Sequence, residues 1–150
     1  MKRLLLLLVM LLPVSLYAQS RVYAGNSHYS SDVVCTYDGK YLYQGNSTYS
    51  SDIIFTYDGR YVYKGKSTYS SDIILTTDHK HIYRGCSTYS SDIILSYDSQ
   101  HVYRGNSNYR GDILFTYDSK YLYHGCSTYT SDILYTIEGH IPMAILVLLM

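Results

Sequence analysis

The chain has 150 residues, and twelve Lys and Arg balance twelve Asp and Glu, so its formal net charge is zero. It contains 21 Tyr, two Phe and no Trp, so nearly all of its aromatic rings carry a polar hydroxyl, which suits thin, half-exposed layers. The length allows one domain. The lack of a basic excess argues against nucleic acid as a partner.

The N-terminal segment has the pattern of a secretory signal peptide. Lys2 and Arg3 precede an apolar run over residues 4–12. That run is too short to span a bilayer, which needs about 20 apolar residues. We therefore expect residues 1–18 to be a signal peptide, the chain to have no integral membrane span, and the protein to be exported, either to the periplasm or as a secreted protein.

A twenty-residue repeat follows and returns six times without insertion or deletion, over residues 21–40, 41–60, 61–80, 81–100, 101–120 and 121–140. We number positions 1 to 20 within each copy. Position 3 is always Tyr, position 5 Gly, position 7 Ser, position 9 Tyr and position 12 Asp, while position 18 is Asp five times and Glu once. A fixed period is typical of repeat proteins, in which each unit packs against its neighbours.

Each copy carries a hairpin pattern around position 18. Asp58-Gly59 lies between apolar and aromatic residues, and this dipeptide is a strong signal for a two-residue turn. Such a turn would place Tyr57 opposite Arg60 and Phe55 opposite Val62. Both faces of the hairpin would then carry apolar residues, so both faces need cover.

These patterns predict an all-β domain over residues 19–140. It would contain six tandem hairpins, with about twelve short antiparallel strands of ordinary length, arranged as two layers or as a closed ring. A β-solenoid with one coil per repeat is the alternative. In a solenoid the position-12 carboxylates would stack about 4.8 Å apart, which like charges disfavour.

The segment between hairpins, at positions 5–12, is rich in Ser, Asn and Gly, as loops are. We expect its Tyr, for example Tyr49, to fold back over the strands as a plug. We expect the Asp at position 12, for example Asp52, to accept hydrogen bonds from loop amides. A row of calcium ligands is the alternative, although one Asp and two Ser per loop supply few of the six to eight oxygens that calcium prefers.

Residues 141–150 are apolar and begin where a seventh copy would. We expect them to be an apolar C-terminal cap over the open end of the array, with a membrane-surface or partner-docking tail as the alternative. Cys86 and Cys126 share position 6 two repeats apart, roughly 19 Å along a sheet. No disulfide between them is expected unless the array closes or pairs with a second chain.

No pattern for catalysis, metal or cofactor binding stands out. His79, His81 and His101 form the densest histidine cluster, yet Tyr occupies the position of His81 and His101 in other copies, so we interpret them as surface aromatic residues. Six near-identical units offer six near-identical surfaces rather than one asymmetric reaction centre. We therefore predict no enzyme, no metal and no cofactor.

The predicted function is a non-enzymatic binding or structural module that presents rows of Tyr from positions 1, 3 and 9, with the variable position 4 tuning the contacts. A glycan or cell-envelope polymer is the first candidate partner, self-association through an exposed end strand is the second, and an enzyme with an unrecognised site is the third. The candidate binding residues are Tyr43, Tyr63, Tyr83, Tyr103, Tyr123, Tyr61, Arg84 and Arg104.

Overall fold

The computed structural model describes residues 18–150. The predicted signal peptide therefore lies outside the described residues except for Ala18. Each repeat supplies two strands, and a 3₁₀ turn at positions 10–12 precedes the second of them. The twelve strands, in chain order, are β1 Ser20–Ala24, β2 Val33–Tyr37, β3 Tyr41–Gln44, β4 Ile53–Tyr57, β5 Tyr61–Lys64, β6 Ile73–Thr77, β7 His81–Arg84, β8 Ile93–Tyr97, β9 His101–Arg104, β10 Ile113–Tyr117, β11 Tyr121–His124 and β12 Ile133–Glu138.

The twelve strands form one closed antiparallel sheet in which each strand pairs with its neighbours in sequence and the last strand pairs with the first. In that closing pair, Arg21 lies opposite Glu138 and Ala24 lies opposite Tyr135. The predicted array of six hairpins is confirmed, and the closed ring is the form it takes. The solenoid alternative is wrong, because the strands run antiparallel throughout.

The register of the tight hairpins differs by two residues from the predicted one. Tyr57 pairs with Val62 rather than facing Arg60. The reason is the Asp58 side chain, whose Oδ1 accepts hydrogen bonds from the amides of Arg60 at 2.9 Å and Tyr61 at 2.7 Å and so organises a wider turn. Because the shift is two residues, Tyr57 and Val62 still share a face.

This wider turn explains why copies without glycine are tolerated. Gly59 has a φ of +98°, yet at the same position His79 and Ser99 avoid positive φ, and Ser119 adopts a φ of +78°. A two-residue type I′ turn would have required positive φ at both central residues. The aspartate, rather than the glycine, is therefore the constant element of the turn.

The inner face of the ring is apolar. The position-2 side chains are at most 1% exposed and point into the lumen: Val22, Leu42, Val62, Ile82, Val102 and Leu122. Eight strands enclose a space that side chains can fill by themselves, but a ring of twelve encloses more. Further atoms are needed to fill the lumen.

The C-terminal segment supplies them. It forms a short helix, α1 Met143–Leu146, followed by a 3₁₀ turn, Val147–Leu149. Ile145 is fully buried in a cluster with residues of β1 and β3, whereas Val147 packs with residues of β7 and β9 on the other side of the ring. The segment is therefore a plug inside the lumen, not a cap over an open end, because the closed ring has no open strand edge.

The chain enters the lumen at a close contact between β1 and the end of β12. The Ser20 hydroxyl donates to the His140 carbonyl oxygen at 2.9 Å and accepts from the His140 amide at 2.9 Å. At Gly139, which has a φ of +86°, a Cβ atom would lie 2.4 Å from Ser20 Oγ. Glycine is therefore required where the chain turns inward.

No helix among residues 18–150 has both the length and the apolar character needed to cross a membrane.

We predict that Ile145→Ala lowers the free energy of unfolding by about 2 to 5 kcal/mol, because Ile145 is fully buried in the luminal cluster and its truncation leaves a cavity there. Urea unfolding of the purified protein measures this change. The matched control is Met150→Ala in the same segment, where the side chain is 42% exposed and the expected change is below about 0.5 kcal/mol. Equal, small effects of the two substitutions would show that the segment does not fill the lumen.

Candidate binding surfaces

A hydrogen-bonded clamp at each tight turn joins positions 18 and 3. Asp78 Oδ1 accepts from the amides of Lys80 at 2.8 Å and His81 at 2.6 Å, and Oδ2 accepts from the Tyr83 hydroxyl at 2.8 Å. Partial burial raises the pKa of Asp78, but these hydrogen bonds outweigh that effect and lower its pKa to about 2. The carboxylate is thus used to hold the turn and the tyrosine ring.

The same clamp closes the ring between its first and last strands. Glu138 takes the place of Asp in the sixth copy, and its Oε2 accepts from the Tyr23 hydroxyl at 2.6 Å. Arg21 lies 3.6 Å from the same carboxylate oxygen. The longer side chain of Glu therefore joins residues 115 positions apart where every other clamp joins residues five apart.

The clamp places the position-3 rings in the packed outer layer of the sheet. Their exposure is only 5 to 8%. This group includes five of the eight predicted binding residues, Tyr43, Tyr63, Tyr83, Tyr103 and Tyr123, which leaves little ring surface for a ligand. Among the other three, Tyr61 is half-buried and Arg84 and Arg104 are exposed.

The position-9 rings have the opposite environment. Tyr29, Tyr49, Tyr69, Tyr89, Tyr109 and Tyr129 are each 74 to 76% exposed. The prediction that Tyr49 folds back as a plug over the strands is therefore wrong. The signal that could have identified this surface is the constancy of one aromatic residue within an otherwise small and polar loop.

Hydrogen bonds within the loop hold each of these rings outward. The Tyr49 amide donates to Ser47 Oγ at 3.2 Å, and the Ser47 hydroxyl donates to Asp52 Oδ2 at 2.5 Å. The Asp52 amide in turn donates to the Tyr49 carbonyl oxygen at 2.9 Å. The predicted contact from a loop amide to Asp52 is thus relayed through a serine hydroxyl.

The part of the chain that the structure describes contains no candidate metal site. Among residues 18–150, no group of three or more His, Cys, Asp or Glu side chains could hold a metal ion. The three cysteines are unpaired there, Cys35 buried and Cys86 and Cys126 exposed.

The long loops fold back along the outer face of the ring toward the tight turn that ends the copy two places earlier in the chain. In this way Tyr89 reaches Arg60 and Tyr61, and the residues between them line a groove of about 300 Å³. The Arg60 guanidinium lies 5.2 Å from the centre of the Tyr61 ring. One repeat further on, Tyr109 and Lys80 line a comparable groove of about 270 Å³.

This geometry gives the outer surface a repeated unit. Both grooves combine an exposed ring at position 9 and a cation at position 20 with residues of the loop, and the first groove also has a half-buried ring at position 1. Aromatic rings next to hydrogen-bonding side chains are suited to ligands that have both apolar faces and polar groups.

Comparison with known proteins agrees with this architecture. Residues 22–146, from β1 to the end of α1, match the model of a family described as "6-fold beta flower protein". No curated protein matches the chain, and no solved structure does so either.

We predict that Tyr103→Phe destabilises the fold, by about 1 kcal/mol at neutral pH, because it removes the hydrogen bond to Asp98. That bond, followed by burial, raises the pKa of Tyr103 to about 12 from the ordinary 10.0. The contribution is therefore complete below pH 10 and is lost as the pH rises to 12, so wild type and variant should converge over that interval. Urea unfolding at a series of pH values measures the difference.

The matched control is Tyr109→Phe, because the Tyr109 ring is 74% exposed. It should leave the free energy of unfolding unchanged at every pH. Equal stabilities of the Tyr103→Phe variant and wild type at pH 7 would contradict the clamp.

Proposed function

From the premise that this chain belongs to the 6-fold beta flower family, we propose that it is an exported, non-enzymatic repeat protein that binds a repetitive glycan or cell-envelope polymer. The binding residues are the six position-9 tyrosines and the grooves beside them. Membership of the family itself supports the coarser description of a structural repeat protein.

The observation that carries the proposal is the exposure of the six position-9 tyrosine side chains. Each is 74 to 76% exposed, and they occupy equivalent points around the closed sheet. A ligand that covers a large exposed aromatic side chain removes apolar surface from water, which favours binding. The flat faces of these side chains can stack on the apolar faces of sugar rings. Ser47, which donates a hydrogen bond to Asp52 and accepts one from the Tyr49 amide, fixes the backbone beside Tyr49 before any ligand arrives. Such preorganisation lowers the entropic cost of binding.

The sixfold repetition favours a ligand that is itself repetitive. Equivalent points on neighbouring hairpins are two strands apart, which is roughly 10 Å along the sheet. Once one unit has bound a polymer, the next unit meets a neighbouring segment of it at a high effective concentration. Weak single contacts can then add up to useful affinity.

Self-association through an exposed end strand receives no support from this architecture. Within residues 18–150, β1 and β12 pair with each other, so neither has a free edge to which another chain could add. An enzyme receives little support either, since the outer grooves resemble each other, whereas catalysis requires groups in distinct environments.

We predict that the double substitution Tyr69→Ala and Tyr89→Ala weakens binding to glycan-coated surfaces by about tenfold or more, because two adjacent stacking contacts are lost from a multivalent site. Binding of the purified protein to a glycan array, including bacterial cell-wall polysaccharides, identifies the ligand. Biolayer interferometry then measures the affinities.

The control is Tyr69→Phe with Tyr89→Phe, which keeps the rings and should retain affinity within about threefold. Both double variants should melt at the wild-type temperature, because the substituted rings are exposed. A blank array for wild type, or equal binding by the Ala variant, would refute the glycan proposal.

A further inference from the structure

The position-4 side chains lie on the inner face of the ring, at its loop end. Lys64 pairs directly with Phe55 and Arg84 pairs with Leu75. Arg104 is paired in the same way with Leu95 on the next hairpin. Directly opposed residues of a sheet share a face. Because these three apolar partners pack into the luminal clusters, the three cations also belong to the luminal face.

These cations are nevertheless exposed, unlike the position-2 residues two places earlier on the same face. Position 4 is the last residue of each short strand and directly precedes the long loop. The side chains of Lys64, Arg84 and Arg104 therefore form part of the rim of the lumen, at the end opposite the tight turns. We call this set of three residues the basic rim.

The basic rim is one-sided. Its three cations come from three consecutive hairpins, and His124 follows on the next. The first two copies carry Ala24 and Gln44 instead. Position 4 therefore differs between copies, and its positively charged side chains lie on one arc of the mouth.

No acidic side chain among residues 18–150 forms an ion pair with the basic rim. Within residues 18–150, the ion pairs closer than 4.0 Å are Arg21–Glu138, His81–Asp78 and His101–Asp98, and none of them involves the rim. The position-18 acids lie at the tight-turn end, where they hold the clamps. At the loop end, the position-12 carboxylates accept from serine hydroxyls of their own loops, as Asp92 does from Ser87.

The spacing of the rim suits one multiply charged ligand rather than three separate anions. Neighbouring hairpins place their position-4 residues roughly 10 Å apart, which is two strand spacings. The long side chains of Lys and Arg can span such gaps toward a common point on the concave side of the sheet. The guanidinium groups of Arg84 and Arg104 also offer paired N–H donors that match the oxygens of phosphate or sulfate groups.

We propose that the basic rim binds a multiply charged phosphate or sulfate ester at the loop-end mouth of the lumen. The apolar plug beneath it, with Ile145 and Leu146 fully buried, makes the mouth a shallow cup rather than a passage. This site lies on the inner face at the mouth of the lumen, whereas the tyrosine grooves lie on the outer face of the ring. The two proposals therefore stand or fall separately.

The test is isothermal titration calorimetry of the purified protein with two probes, sodium tripolyphosphate and a heparin-derived sulfated tetrasaccharide. The rim variant is Arg84→Gln with Arg104→Gln. The matched control is Lys40→Gln with Lys120→Gln, which removes the same charge from exposed positions at the opposite end, outside the two outer grooves described above. All of these side chains are exposed, so the melting temperatures should not change.

We expect at least one probe to bind to wild type, more weakly as salt is raised. The rim variant should lose about a hundredfold in affinity through two charge-assisted contacts, and the control less than about threefold. Preference for tripolyphosphate would identify a phosphorylated ligand, and preference for the tetrasaccharide a sulfated glycan. Equal losses in the two variants, or no binding of either probe to wild type, would overturn the proposal.

Discussion

A hairpin with apolar side chains on both faces cannot leave either face in water, and this constraint determines the form of the whole molecule. The inner face is covered by closing six hairpins into a ring and filling the lumen with Ile145 and its neighbours. The outer face is covered by the long loops, which fold back over the position-3 rings. At the junction of the first and last strands, the longer Glu138 replaces the usual Asp of position 18 and accepts a hydrogen bond from Tyr23.

The same arrangement separates structural positions from surface positions. Tyr103 holds its turn through Asp98 and is 8% exposed, whereas Tyr109, six residues later, is 74% exposed. The constant positions of the repeat therefore include both the scaffold and the surface that we propose for binding. Position 4 varies between copies, and it is this variation that gives a symmetric ring its single charged arc.

Local sequence chemistry predicted the strands, the hairpins and their antiparallel direction, because Asp58-Gly59 and its flanking residues encode a chain reversal. It missed the register, since the turn is organised by the Asp58 side chain rather than by glycine. It could not show that the ends of the array meet, because each repeat carries the same pattern whether the array is open or closed. It also placed Tyr49 wrongly, because loop hydrogen bonds rather than hydrophobicity decide where that ring points.

The closing pair of β1 and β12 is the central claim, and hydrogen exchange followed by NMR tests it most directly. In the closed ring, residues 20–24 and 133–138 have a partner strand on each side. Their amides should then exchange as slowly as those of the internal strands β5 to β8. Fast exchange of alternate amides in both segments, with protection intact elsewhere, would show an open array and contradict the account.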